Sequence, residues 1–408
     1  MTATTPPVAE PLTVRRARLW ARENLFGSVP NTLLTIVTAV FLAAAVWGVF
    51  RFVFFTAEWE VVDANRRLFF VGRFPSDETW RIWVVLFTVA GLAGLSWGLW
   101  SGIGMKLAAL GLGGLALVFA FMAEGDVAWS TAAIVALFTG AYAAARWLVR
   151  TTGYAGPARN LAVAGWLASF VLATLLLREV NTALWGGLLL TMTLAIVGIV
   201  ASFPLGVLLA VGRTSTYPVI RLFCVGYIEL IRGVPLITLL FTAKFILPLM
   251  VERERELSLL GIDVTFPGVE MDDVLRAMAA ITIFSSAYLA EIVRGGLQAV
   301  PKGQVEAAKA LGLGTARILG LIVLPQALRA VIPAIVGQFI ALFKDTSLVV
   351  IIGLTELLRA GQQVTAQPAF IGKQAEALLF VALIYWVVAF SMSRASQQLE
   401  RTLGVGER

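Results

Sequence analysis

Charged and polar side chains are scarce in this chain, so those that fall inside apolar runs mark the places where chemistry is possible. Lys344 and Asp345 sit near the middle of an apolar run over about 331–354, where burying a charge in a bilayer costs at least a few kcal/mol. Thr346 and Ser347 follow with hydroxyls able to bond a ligand or the preceding backbone turn. Gln338 lies almost two helical turns before Asp345 and shares its face. Glu229 and Arg232 are spaced to pair along a helix. Gly233 and Pro235 follow at once, and Pro235 has no N–H for the carbonyl of Ile231. Glu291 and Arg294 repeat the spacing at the end of another run. Such groups either line a polar route or lock helices together as ion pairs. For residues 338–347 and 229–232 both uses stay open; for Glu291 and Arg294 a structural tie is favoured.

The surroundings of these residues are lipid-like. The chain is 59% hydrophobic and 14% charged, with a mean hydropathy of +0.86, outside the range of water-soluble domains. Apolar runs of about twenty residues recur along it, the signature of a polytopic membrane protein. Histidine is absent, which removes His-based triads and His-ligated metals, and the acids are too scattered to form a catalytic cluster. The lone cysteine, Cys224, rules out an internal disulfide. Gly111, Gly113 and Gly114 loosely suggest a phosphate loop but lack its lysine, and close helix packing is their expected use.

Ten spans are expected, near 31–54, 81–100, 104–122, 129–147, 160–178, 184–211, 219–250, 274–293, 331–354 and 375–393. Basic residues concentrate in segments that share a side with Arg15, Arg16, Arg18 and Arg22, and the acidic stretch 252–273 falls on the other. The positive-inside rule then makes both termini cytoplasmic. Four regions follow: a cytoplasmic N-terminal tail at 1–28, accessory transmembrane helices without buried charge at 29–179, a core at 180–396 and a C-terminal tail at 397–408. Residues 55–80 read as a mixed-charge loop. The break at Gly233–Pro235 lies mid-membrane if 219–250 is one span, or at the cytoplasmic mouth if 219–231 lie along the interface.

Between two apolar runs, residues 301–325 look soluble. Glu306, Ala307, Ala308, Ala310 and Leu311 are good helix formers, and Gly312-Leu313-Gly314 supplies the freedom to stop and turn. Thr315 can cap a second helix, expected to end by Leu324 because Pro325 disfavours helical geometry before it. Glu306-Ala307-Ala308, three residues, Gly312, nine residues, then Ile322-Val323-Leu324-Pro325 resembles the coupling loop of ABC importer permeases. Three further stretches, 227–236, 286–296 and 343–348, resemble signatures of the polar amino acid permeases, and the extra N-terminal spans resemble the larger permease of general L-amino acid importers.

The resemblance implies an all-α polytopic membrane protein of about ten transmembrane helices, the C-terminal five forming a type I (MetI-like) permease core in a bacterial inner membrane. It implies coupling to an ATPase through Glu306, Ala307, Ala308, Gly312, Leu324 and Pro325. Glu229, Arg232, Gln338, Lys344, Asp345, Thr346 and Ser347 become candidates for a substrate route or gate, in which acidic and basic groups would receive a zwitterionic L-amino acid. The implied partners are ABC ATPase subunits, a second homologous permease subunit and a periplasmic amino-acid-binding protein, with no nucleic acid. The chain lacks a G-x-x-x-x-G-K phosphate loop, so no cofactor is expected on it, and ATP and Mg belong to the ATPase. The alternative class is an ion-coupled secondary amino acid transporter, against which stands the lack of a repeat of 184–394 within 30–180.

Overall fold

The computed structural model of the chain describes residues 14–100, 127–151, 155–251, 255–259, 262–266 and 268–403. They fall into two compact units, Met1–Trp59 and Glu60–Arg408. The first contains α1 (Val14–Asn24) and α2 (Val29–Arg51). Helix α2 starts where the Ser28 side chain accepts the Asn31 N–H and Pro30 occupies the first turn. It continues through a π turn to Thr56, and no side chain on it is buried.

In the second unit α3 (Glu60–Asp63) and α4 (Arg66–Val71) precede three long helices, α5 (Trp80–Leu99), α6 (Val127–Thr151) and α7 (Ala155–Leu177). Next come α8 (Gly187–Arg213), α9 (Pro218–Arg232), α10 (Leu236–Phe241), α11 (Leu247–Val251) and α12 (Asp273–Ala299). The chain closes with α13 (Lys302–Ala310), α14 (Thr315–Ile318), α15 (Leu324–Asp345), α16 (Leu357–Thr365) and α17 (Gln374–Leu403). The acidic segment before α12 adds one feature to the helical fold, β1 (Arg255–Leu259) paired antiparallel with β2 (Ile262–Phe266).

Among the described residues eight helices are long and apolar enough to cross a bilayer, or nine if one bent pair counts as a span. The span expected at 104–122 lies outside the described residues. Two others differ from expectation. Residues 219–250 form the bent pair, whose halves meet at 104°, so they cannot both follow one membrane normal. Helix α14 does not end at Leu324: a π turn over Leu319–Val323 carries it into α15, where Pro325 falls in the first turn and needs no donor.

Packing follows the apolar pattern. Helices α5 and α6 meet around Ala90 and Ile134, with Trp97 edge-on to Phe138 and Tyr142. Ala210, Ile228, Leu289, Ala290, Val293 and Ile335 join α8, α9, α12 and α15 in one cluster. The mixed-charge loop supplies an unexpected part of the core: Val61, Val62, Phe69, Phe70 and Phe74 on and beside α3 and α4 are buried.

A carboxylate is also buried, and sequence reasoning passed over it. Glu356, fully inaccessible, caps α16 by accepting the N–H groups of Leu358 (2.7 Å) and Arg359 (2.8 Å). The Tyr385 hydroxyl of α17 donates to it at 2.9 Å, and the Leu357 N–H donates to the Thr191 hydroxyl of α8 at 3.1 Å. Glu356 lies outside the candidate spans. Burial pushes its carboxyl up to about 7, against the opposing pull of its three donors.

Raised in the fold above its ordinary value, this acid stabilises the structure fully below about pH 4.5, and that contribution is lost as pH rises to 7. Thermal unfolding of the detergent-solubilised protein should show stability falling across that window by up to about 1.4 kcal/mol per pH unit. Glu356→Gln should flatten this component of the profile.

Candidate functional site

The charged residues collect at the two ends of the α8–α12 pair. At the end that leads into α13, Arg213 closes α8 and reaches Glu291 of α12 at 2.5 Å and Glu229 of α9 at 3.1 Å. Arg294 holds the same Glu291 at 2.8 Å, one helical turn on, and Arg232 approaches it at 3.6 Å. The tie expected between Glu291 and Arg294 is thus present within a larger cluster. The pairing expected between Glu229 and Arg232 does not form. The exposed Glu229 goes to Arg213, while Arg232 turns to the more buried Glu291 and lies over the Tyr288 ring, 5.5 Å from its centroid. A carboxylate screened less by water attracts a guanidinium more strongly, and the ring face adds a cation–π contact.

The break after Arg232 follows from its residues. Pro235 cannot donate to Ile231, and the Val234 N–H takes that carbonyl instead at 3.4 Å. Pro235 is itself extended, with ψ of 144°, and this ends α9 and redirects the chain into α10.

Lys344 and Asp345 stand at the last turn of α15. Adjacent helix positions point about 100° apart, and the two do not pair: Lys344 is exposed and Asp345 half-buried. Both neighbouring hydroxyls turn to the backbone, Thr346 donating to Phe343 at 2.6 Å and Ser347 to Lys344 at 2.8 Å. Gln338 is half-buried on the same helix. Among the described residues no ion pair joins this group to the Glu229–Arg232 group.

At the opposite end Lys244, within a π turn, donates to the Ile352 carbonyl and pairs with Asp273 at 3.3 Å. Arg276 holds the other oxygen of Asp273 at 2.9 Å. A lysine inside an apolar run was the one sequence signal for this joint; its partners lie far along the chain. Asp272 caps α12 through the Leu275 N–H at 2.7 Å and accepts the Thr182 hydroxyl at 2.6 Å.

Helix α13 has one buried side chain, Ala308; Glu306, Ala307, Gly312 and Pro325 are exposed and Leu324 half-buried. Gly312 takes φ of +75°. Its N–H bonds Lys309 at 2.9 Å, and that of Leu313 bonds Ala308 at 3.1 Å, the double closure of a Schellman end. Glu306 is beyond the first turn of α13, so its charge does not act on the helix N-terminus. Gly314, not Thr315, is the N-cap of α14, and no side chain bonds there.

The family model described as "Binding-protein-dependent transport system inner membrane component" matches residues 202–405. The chain is 37% identical to the inner membrane amino-acid ABC transporter permease protein YhdY of Escherichia coli (strain K12), over 96% of this chain and 94% of that one. It is also 37% identical to the glutamate/glutamine/aspartate/asparagine transport system permease protein BztC of Rhodobacter capsulatus, over 97% and 96%. A crystal structure of an amino acid ABC transporter with histidines aligns with 52% of this chain and 90% of its own at 29% identity, with a TM-score of 0.43.

The charge cluster predicts an asymmetry between its two acids. Glu291→Gln removes the half-buried carboxylate that three arginines share and should cost about 1–3 kcal/mol. Glu229→Gln removes one exposed pair and should cost about 0–1 kcal/mol. Melting of the purified variants in detergent measures both.

Proposed function

The chain belongs to the family of binding-protein-dependent transport system inner membrane components, and on that premise we propose that it is the membrane permease of an ATP-driven importer for L-amino acids. The observation that carries the reading is α13, a short exposed helix whose one buried side chain is Ala308 and which ends in the Gly312 closure. Such a helix is shaped to dock on a separate protein, and Leu311 and Leu321, both strongly exposed, offer apolar surface beside it. In the proposed complex that protein is an ABC ATPase subunit, contacted by Glu306, Ala307, Ala308, Gly312, Leu324 and Pro325. ATP and Mg stay with the ATPase. A second homologous permease subunit and a periplasmic amino-acid-binding protein complete the assembly, in a bacterial inner membrane with both termini cytoplasmic. The basic residues beside the N-terminal spans support that orientation.

Glu229, Arg232, Gln338, Lys344, Asp345, Thr346 and Ser347 are proposed to border the route or its gate. The Glu229–Arg232 group lies at the end of α12 that leads into α13, the end that ATPase movement would reach first. Lys344 and Asp345 remain available to the carboxylate and the ammonium of a zwitterion, respectively. An ion-coupled secondary transporter is not favoured, since it gives α13 no partner.

At Gly312 a β-branched side chain would carry a left-handed penalty of about 1–2 kcal/mol, small beside the stability of the packed spans. Gly312→Val should therefore leave membrane abundance intact while reducing amino acid uptake and substrate-stimulated ATP hydrolysis at least about tenfold, because the exit angle of α13 changes. Reconstituted complexes measure both. Coupling equal to that of the parent would remove α13 from the transmission path.

A further inference from the structure

Residues 60–74 lie outside the segment matched by the family model and have the mixed charge of a surface loop, yet Phe69, Phe70 and Phe74 are at most 1% exposed. Three kinds of tie hold the segment against α8, α16 and α17. The Phe69 ring meets Phe380 of α17 edge-on at 5.1 Å, and Gly361 of α16 passes beneath it, close enough that a Cβ would lie 3.6 Å from the ring. The Gln367 side-chain amide, just past α16, donates to Asn65 at 2.8 Å. The Arg73 N–H donates to the Leu184 carbonyl at 3.1 Å, and Gly72 pairs with Trp185 as an isolated bridge. At Gly187, with φ of +55°, a Cβ would stand 2.3 Å from the Phe69 carbonyl oxygen. On the inner side the Gly187 N–H donates to Thr355 at 2.9 Å, and Glu356 joins α16 to Tyr385.

We propose that residues 60–74 are a strap that makes α16 and the adjoining ends of α8 and α17 a single body, fixed throughout the transport cycle, so that alternating access opens without movement between strap and α16. Every tie is short, dry or backbone-to-backbone, and together they join the strap to the start of α8, to α16 and its end, and to α17. A gate needs contacts that exchange for water, and buried phenylalanines edged by glycine backbone offer none.

The test uses the full chain with its partner subunits, in a Cys224→Ala background carrying Asn65→Cys and Gln367→Cys, linked by a short bis-methanethiosulfonate reagent that reductant removes. Proteolysis between the two positions reports the yield of the link. The strap predicts efficient linking and uptake at no less than about half the reduced level. A tenfold loss of uptake on linking, regained on reduction, would overturn it, as would failure to link. The uptake arm rests on the proposed transport function, and the reduced sample tests that function separately. Should the reduced sample take up no amino acid, linking rates in resting and ATP–vanadate-trapped complexes decide: rates equal within twofold support the strap, and a tenfold slower rate in the trapped state overturns it.

Discussion

Charge that enters an apolar protein has to be neutralised there, because separating the partners leaves an uncompensated ion away from water. Glu291 meets that requirement by gathering Arg213, Arg232 and Arg294. Two of these arginines terminate their helices, so the carboxylate fixes where α8 and α9 can end relative to α12. The break at Gly233–Pro235 follows directly after the last of these anchors, and α10 is free to leave at 104°. Helix α12 passes through the same point on its way to α13. The position of α13 thus descends from one half-buried acid.

The other end of the bundle adds hydrogen bonds and packing to the ion pairs of Asp273. Glu356 takes three donors, from the α16 backbone and from α17, and the Thr191 hydroxyl of α8 accepts from the same turn. Over this joint lies the segment with Phe69 and Phe70, which the family-model match at 202–405 does not include. The similarity to the Escherichia coli relative extends over 96% of the chain, so it too reaches beyond the residues that the family model matches.

Local features were legible in the sequence. The stop at Gly312 rests on helix formers followed by glycine, and both signals act within a few residues. The break at Pro235 and the i,i+3 tie of Glu291 to Arg294 are local too. Partnerships across helices were not legible: choosing between Arg213 and Arg232 for Glu229 requires knowing which of two acids is better shielded. Phe69 and Phe70 were hidden by their neighbours, since Leu68–Val71 is too short for a span and is flanked by Arg66, Arg67 and Arg73. The hydroxyls of Thr346 and Ser347 each donate to a carbonyl three residues back, the backbone bond that their types allowed beside a ligand. Pro325 reads as a terminator unless the chain absorbs it with a π turn, and no residue type announces that turn.

That π turn has a mechanical consequence. By linking α14 to α15 it produces one rod from Thr315 to Ile352, 38 residues long and about 57 Å at 1.5 Å per residue. The exposed helix α13 attaches at one tip, and the carbonyl that Lys244 holds is at the other. Pivoted at its centre, such a rod turns a tilt of about 5° into a displacement of about 2.5 Å at each tip, enough to break a hydrogen bond. A displacement applied at the Thr315 tip would therefore be matched at the Ile352 carbonyl that Lys244 holds, without any helix in between changing its internal shape.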